Sequence, residues 1–265
     1  MKVSFSECYC DLVENGGPTA KRAYREWVER PGYGDVVSFV QNFDHEKLFS
    51  LSPDDIRETL EKTEHALGNV PKEHQIREIE DFTCPFALQH LFHRFIERTG
   101  NLPTWQRFWR WMNKQAKPHW LDQIAPLKLR LRENYSDQRI DDALRWRLGK
   151  FYYSAIREVE FLVWMHSQGI PLKYHLLADV LLRADYWIDR TILCTYAPNP
   201  RYRTSRQGRK NPAEFYFDGA TPPFKIFDFE VEQQGFGRAW LTTEASKRQI
   251  LERLRRELAF KKEVK

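Results

Sequence analysis

Between Gly169 and Arg203 the chain reads GIPLKYHLLADVLLRADYWIDRTILCTYAPNPRYR, and its periodicity changes from helical to extended. RADYWID and RTILCTYAP carry β-branched and aromatic residues, and read as two strands joined near Asp189-Arg190. LKYHLLADVLL has the length and apolar content of a buried strand or strand pair. Upstream, 151–168 reads as a helix that ends at Gly169 before Pro171. Downstream, Thr221-Pro222-Pro223 marks a turn into FKIFDFEVE, where Phe227, Phe229 and Val231 alternate with Asp228, Glu230 and Glu232. A closing helix starts near Thr243. Helix, three or more strands, then helix is the order of an α/β unit.

The first 145 or so residues read differently. Ser52-Pro53-Asp54-Asp55 is a helix start: serine accepts from exposed amides, proline suits the first helical position, and Asp55 completes a capping box. That helix is expected to run to Gly68. Further helices are expected over 85–98, from Trp105 after Pro103-Thr104, and over 136–149, stopping at Gly149. The fold class is therefore α+β, with an all-helical domain over 1–149 and an α/β domain with a central mixed sheet over 150–265.

With 265 residues the chain can bury a substantial core. No apolar run approaches the roughly 18–20 residues that span a bilayer, and the start, MKVSFSECYCDLV, has no signal-peptide core. Cys8, Cys10, Cys84 and Cys194 are few and irregularly spaced, which suits reduced thiols and a cytoplasmic location. The net charge of +5 permits an anionic partner. Its placement is more telling, because Arg190 to Lys210 contains no acid while Arg190, Arg201, Arg203, Arg206, Arg209 and Lys210 stand with Tyr196 and Tyr202. A second basic run follows from Lys247 to Lys265. Either is equally the solvated face of a loop or helix, but two in one half of the chain point towards nucleic acid.

Trp105, Phe108, Trp109, Trp111 and Met112 are interleaved with Arg107, Arg110 and Lys114, a composition that serves base stacking. Trp105, Trp109 and Met112 share one helical face, however, so core packing is the expected role. His90 and His93, one turn apart with Cys84 nearby, lack the four paired ligands of a structural zinc site and read as core or solvated histidines.

A helix bearing Glu158 and Glu160, a strand ending in Arg183-Ala184-Asp185, and a short hairpin into a second central strand together resemble the PD-(D/E)xK restriction-endonuclease-like superfamily. The resemblance covers 150–245. It implies a nuclease-like core in which Glu158 or Glu160 and the strand residue Asp185 hold one or two Mg2+ or Mn2+ ions, whose bound water attacks a phosphodiester. It also implies a setting in bacterial mobile elements or defence.

The second strand departs from that pattern. A two-residue turn at Asp189-Arg190 puts Ile188 opposite Thr191 and Asp185 opposite Cys194, on the face of Tyr196. The family would have an acid near Cys194 and a lysine near Tyr196. Sliding the turn by one residue offers Thr195 and Ala197, which serve no better. A migrated site would draw on Asp228, Glu230 or Glu232, with Lys173, His175 or Lys225 in place of the lysine, although one solvent-facing strand edge gives the same alternation.

The expected function is accordingly a protein that binds DNA or RNA on a degenerate nuclease-like domain, through Arg190, Arg201, Tyr202, Arg203, Arg206, Arg209 and Lys210. One alternative is an active metal-dependent nuclease using Asp185, Glu158, Glu160 or Glu230, with Asp185 and Glu158 on the metal. The other is a protein-interaction subunit of a larger complex.

Overall fold

A computed structural model describes residues 1–68, 70–83, 88–196, 211–236 and 239–263, without the side chains of 236 and 260–263. The fold is α+β: helices supply most of the chain around a three-stranded mixed sheet and a separate two-stranded one.

The helices before the sheet are α1 (Phe5–Cys8), α2 (Pro18–Val28), α3 (Gly34–Gln41), α4 (Pro53–Lys62), α5 (Arg77–Glu80), α6 (Gln89–Thr99), α7 (Trp105–Lys114), α8 (Lys117–Leu131) and α9 (Asp137–Ser167). α4 starts with the expected capping box, in which the Ser52 amide donates to Asp55 Oδ2 at 2.8 Å and the Asp55 amide donates to Ser52 Oγ at 3.2 Å. It stops at Lys62 and not at Gly68, because Thr63 turns into extended backbone and its hydroxyl accepts from the Trp105 amide at 2.8 Å. That tertiary bond ends the helix before any local stop signal does.

Two helices expected on either side of Gly149 are one, the 31-residue α9. Gly149 is there for close packing: a Cβ on it would lie 2.8 Å from Leu67 Cδ2 and 3.4 Å from Ala66. The boundary expected between 149 and 150 thus falls inside a continuous helix.

The segment from 172 to 182, expected as a strand or strand pair, makes a single bridge from Lys173 to Trp187 and then coils into the π-helical turn α10, Leu177–Leu181. Leucine and alanine favour helix, Val180 is the one β-branched residue in the turn, and His175 Nδ1 accepts from the Leu177 amide at 3.1 Å. Strands β1 (Tyr186–Ile188) and β2 (Thr191–Tyr196) form the expected hairpin, with Ile188 opposite Thr191 and Tyr186 opposite Leu193. β3 (Lys225–Glu230) runs parallel to β2, placing Asp228 beside Cys194 and Glu230 beside Tyr196. Between them comes α11 (Ala213–Phe217). β4 (Gln233–Phe236) and β5 (Ala239–Thr242) pair separately, and α12 (Glu244–Glu263) follows.

Alternation along the hairpin sorts its side chains between two cores. Tyr186, Ile188 and Leu193 join the core built by α4, α6–α9 and part of α12. Trp187 and Ile192 join a second core with Val3, Leu12, Trp27, Val37 and Val40 from the start of the chain, and Ala213 and Phe217 from α11. The first 43 residues therefore complete the back of the sheet. Among the described residues, no helix is long and apolar enough to cross a membrane.

Candidate functional site: a carboxylate pocket at the end of the hairpin

α9 presents Glu158, α10 presents Asp179, and the turn between α10 and β1 presents Asp185, all to one pocket of about 450 Å³. Arg157, Arg183, Gln89, Ser154, Thr195 and Tyr196 complete its polar lining, over Phe161 and Val231.

Asp185 sits just before the first ladder pair, so the hairpin fixes it from the opposite strand. The Thr195 amide and hydroxyl donate to its Oδ2 at 2.7 and 3.1 Å. Glu158 is held from α6 and from its own helix, by the Gln89 side-chain amide at 3.2 Å and the Ser154 hydroxyl at 3.1 Å. Tyr186 donates to the Glu158 carbonyl at 2.8 Å and so pins β1 to α9. Asp179 accepts from Tyr174 at 3.2 Å, and the same phenol lies 2.8 Å from His93 Nε2.

Both carboxyls of the central pair titrate above the usual carboxylate range. For Glu158 the larger cause is burial and the next is the charge of Asp185; Arg157, Gln89 and Ser154 oppose the shift. For Asp185 burial again comes first, then the charge of Asp179, against the Thr195 hydrogen bonds and Arg183. Two half-buried carboxyls in mutual repulsion hold protons or a cation more readily than either would alone.

The other expected site residues lie elsewhere. Glu160 does not line the Asp185 pocket; it is buried beside a different, smaller depression, where Lys247 pairs with it and with Glu244. Two residues along a helix is about 200°, so Glu158 and Glu160 cannot share a face. Glu230 is exposed at the end of β3 and does not line the pocket. Asp228 faces Cys194 and Glu214, and burial with the Glu214 charge raises its pKa. A carboxylate site migrated to β3 is therefore not assembled around Asp185.

The proposed substitutes for the lysine are occupied as well. Lys173 bridges Glu7 and Asp11 at 2.8 Å each, Lys225 pairs with Glu257, and His175 is buried with Nε2 3.0 Å from the Phe43 carbonyl. Burial lowers His93 to about 3 and His175 to about 4, so both are neutral core residues with His45.

Arg190 is a tie between segments and not an open anion contact. Its guanidinium lies 4.0 Å from the Phe224 ring centroid and donates to the carbonyls of Asn15, Pro222 and Pro223. Arg201, Tyr202, Arg203, Arg206, Arg209 and Lys210, like Cys84, lie outside the described residues. Tyr196, the last described residue before that segment, lines the pocket. On α7, Trp105 and Met112 of the expected core face are buried, Trp109 on that face is half-buried, and Phe108 and Trp111, which the spacing did not assign to it, are buried as well.

Sequence reasoning placed Glu158 and Asp185, but passed over Gln89, Ser154 and the pocket role of Arg157. Nothing local marks Gln89, which reaches Glu158 across 69 residues. Arg157 and Arg183 were legible in principle, as cations adjoining each acid in sequence.

Among the described residues, no three His, Cys, Asp or Glu side chains form a group that could hold a metal ion. What remains is a two-carboxylate site. Two carboxylates are too few to cage an ion by protein alone; Mg2+ commonly takes one or two protein carboxylates and keeps several waters.

The molecule is thus an α+β protein with a paired-carboxylate pocket between a long helix and a hairpin. The chain matches no protein-family model, no curated protein and no solved structure.

Proposed function

We propose that this protein binds nucleic acid on a nuclease-like core whose catalytic set is reduced to Glu158 and Asp185. The observation that carries the reading is the convergence of a helix acid and a hairpin acid in a polar pocket that Tyr196 also lines, with the cations Arg201 to Lys210 following Tyr196 in the sequence. Cations of that segment would contact phosphates, and Arg157 and Arg183 would add charge beside the acids. Cys194 and Tyr196 occupy the hairpin positions where the resemblance would require a further acid and a lysine. Binding without turnover follows from that loss.

The test is titration of labelled DNA and RNA at low and moderate salt. Affinity is expected to fall steeply with salt, and to fall further in Arg201→Ala, Arg203→Ala and Arg206→Ala. No binding at low salt rejects the proposal.

A second reading, a metal-dependent nuclease, draws support from the raised titration of the pair, which makes it responsive to a cation. Glu158 and Asp185 would hold Mg2+ or Mn2+, which supplies an acidified water and screens the phosphate. Cleavage that requires the metal and disappears in Asp185→Ala would establish it; cleavage unaffected by that substitution would remove this site.

A further inference from the structure

A second depression, of about 560 Å³, lies on the other side of α10, and its size is in the ~300–1,000 Å³ range of ligand pockets. α2 lines it with Arg22, Glu26, Trp27 and Arg30, and α11 lines it with Phe215 and Tyr216. Its aromatic side is open. Phe215 is 42% exposed and meets Tyr216 edge-on, with centroids 5.3 Å apart, while Trp27 is buried beneath. Arg22 and Arg30 outnumber the single acid, Glu26, which lies 3.9 Å from Arg22. An accessible ring flanked by guanidinium groups suits an unpaired base and its phosphates. A duplex keeps its bases stacked inside and offers that ring nothing.

The groove and the carboxylate pocket share a wall. α10 gives Leu181 to the groove and Asp179 to the pocket. Arg183 follows in the left-handed region, at φ 61°, a conformation that L residues with side chains seldom hold without cause. From there its charge acts on Asp185 on one side and on Tyr216 on the other. Tyr196 lines the pocket and Asn211 lines the groove.

We propose that this groove seats single-stranded nucleic acid, with a base on Phe215 and Tyr216 and phosphates on Arg22 and Arg30, and directs the strand past Arg183 to Glu158 and Asp185. The inference rests on the nucleic-acid reading above and adds the strandedness of the ligand and its track.

Fluorescence anisotropy with a mixed-sequence single-stranded DNA, its RNA counterpart and the matching DNA duplex tests it. The wild-type chain is expected to prefer a single strand, and the better of the two single strands identifies the natural sugar. Phe215→Ala should weaken single-strand binding on the order of ten-fold and leave duplex binding within about two-fold. Arg22→Ala and Arg30→Ala should each weaken it and flatten its salt dependence. All three positions are at the surface, and a thermal melt checks that each variant is folded. Single-strand affinity unchanged in Phe215→Ala and in both arginine variants would overturn the groove assignment alone. Wild-type protein that binds none of the three probes would overturn the nucleic-acid reading with it.

Discussion

Glu158 and Glu160 lie two residues apart on α9, and their surroundings are opposites. Glu160 is buried against Lys247, which is itself only 3% exposed. Glu158 turns into a polar pocket and meets another carboxylate. Burial raises the titration of both, but a lysine works against the rise at Glu160 while Asp185 adds to it at Glu158. A buried charge with a counter-ion is ordinary architecture. A pair of carboxylates that repel each other in a cavity, even with Arg157 and Arg183 beside them, costs stability, which is the pattern of functional sites.

The strongest challenge to this contrast is Lys247→Met. Removing one partner of a buried pair leaves Glu160 uncompensated, so unfolding free energy should fall by about 3–5 kcal/mol in urea titrations at pH 8. The loss should shrink as pH falls and Glu160 accepts a proton. If Lys247→Met is neutral, the pair is not what separates Glu160 from Glu158.

The overpacking of Gly149→Ala comes next. Its new methyl would press on Leu67 and Ala66, and the expected loss is about 1–3 kcal/mol, read from the same denaturation. An unaffected protein would mean that α9 has slack where Glu158 and Glu160 diverge, and would weaken the claim that it fixes them on opposite sides.

The third prediction has the opposite sign. Asp185→Asn or Glu158→Gln should stabilise the protein by about 0.5–2 kcal/mol at pH 8, because each relieves the repulsion. Linkage sets the direction with pH. A carboxyl whose pKa is raised on folding binds its proton more tightly in the native state, so wild-type stability declines as pH climbs from the unfolded carboxyl range through the raised native values. The gain from either substitution should therefore be largest above neutrality and fade by about pH 4, the reference carboxyl range. Thermal melts across pH decide this, and destabilisation by both variants at pH 8 would mean that Thr195, Gln89 and Ser154 outweigh the repulsion.

These contrasts were legible in the sequence only in part. Ser52 and Asp55 announced α4, and the Asp189-Arg190 turn fixed the register of β1 on β2, because both are local rules. The resemblance named Glu158 and Asp185 but left Glu160 as an equal choice, since the decision rests with Lys247, 87 residues away. α10 read as strand because an apolar run has no period of its own to distinguish helix from sheet. The back of the sheet went unseen, as its cover comes from Val3 to Phe43, a stretch with no motif. The residue opposite Asp185 was legible, but the residue that holds it was not. Asp185 does stand across from Cys194 by extension of the ladder, yet the group that holds it is Thr195, whose backbone amide no side-chain count can reveal.

The smallest expected effect separates the two glutamates most directly. If the Glu158–Asp185 pair takes a hard cation, Mg2+ should raise the melting temperature, because a ligand that binds only the native state stabilises it by RT ln(1 + [L]/Kd), about 1.4 kcal/mol at ten times Kd. The effect should grow from pH 6 to pH 8, as protons leave the pair and cease to compete. Asp185→Asn should abolish it. Glu160→Gln should leave it intact, since that carboxylate already has Lys247 and lies outside the pocket. Equal loss in both variants, or a Mg2+ shift that survives Asp185→Asn, would show that the cation acts elsewhere on the protein and that the carboxylate pair holds only protons.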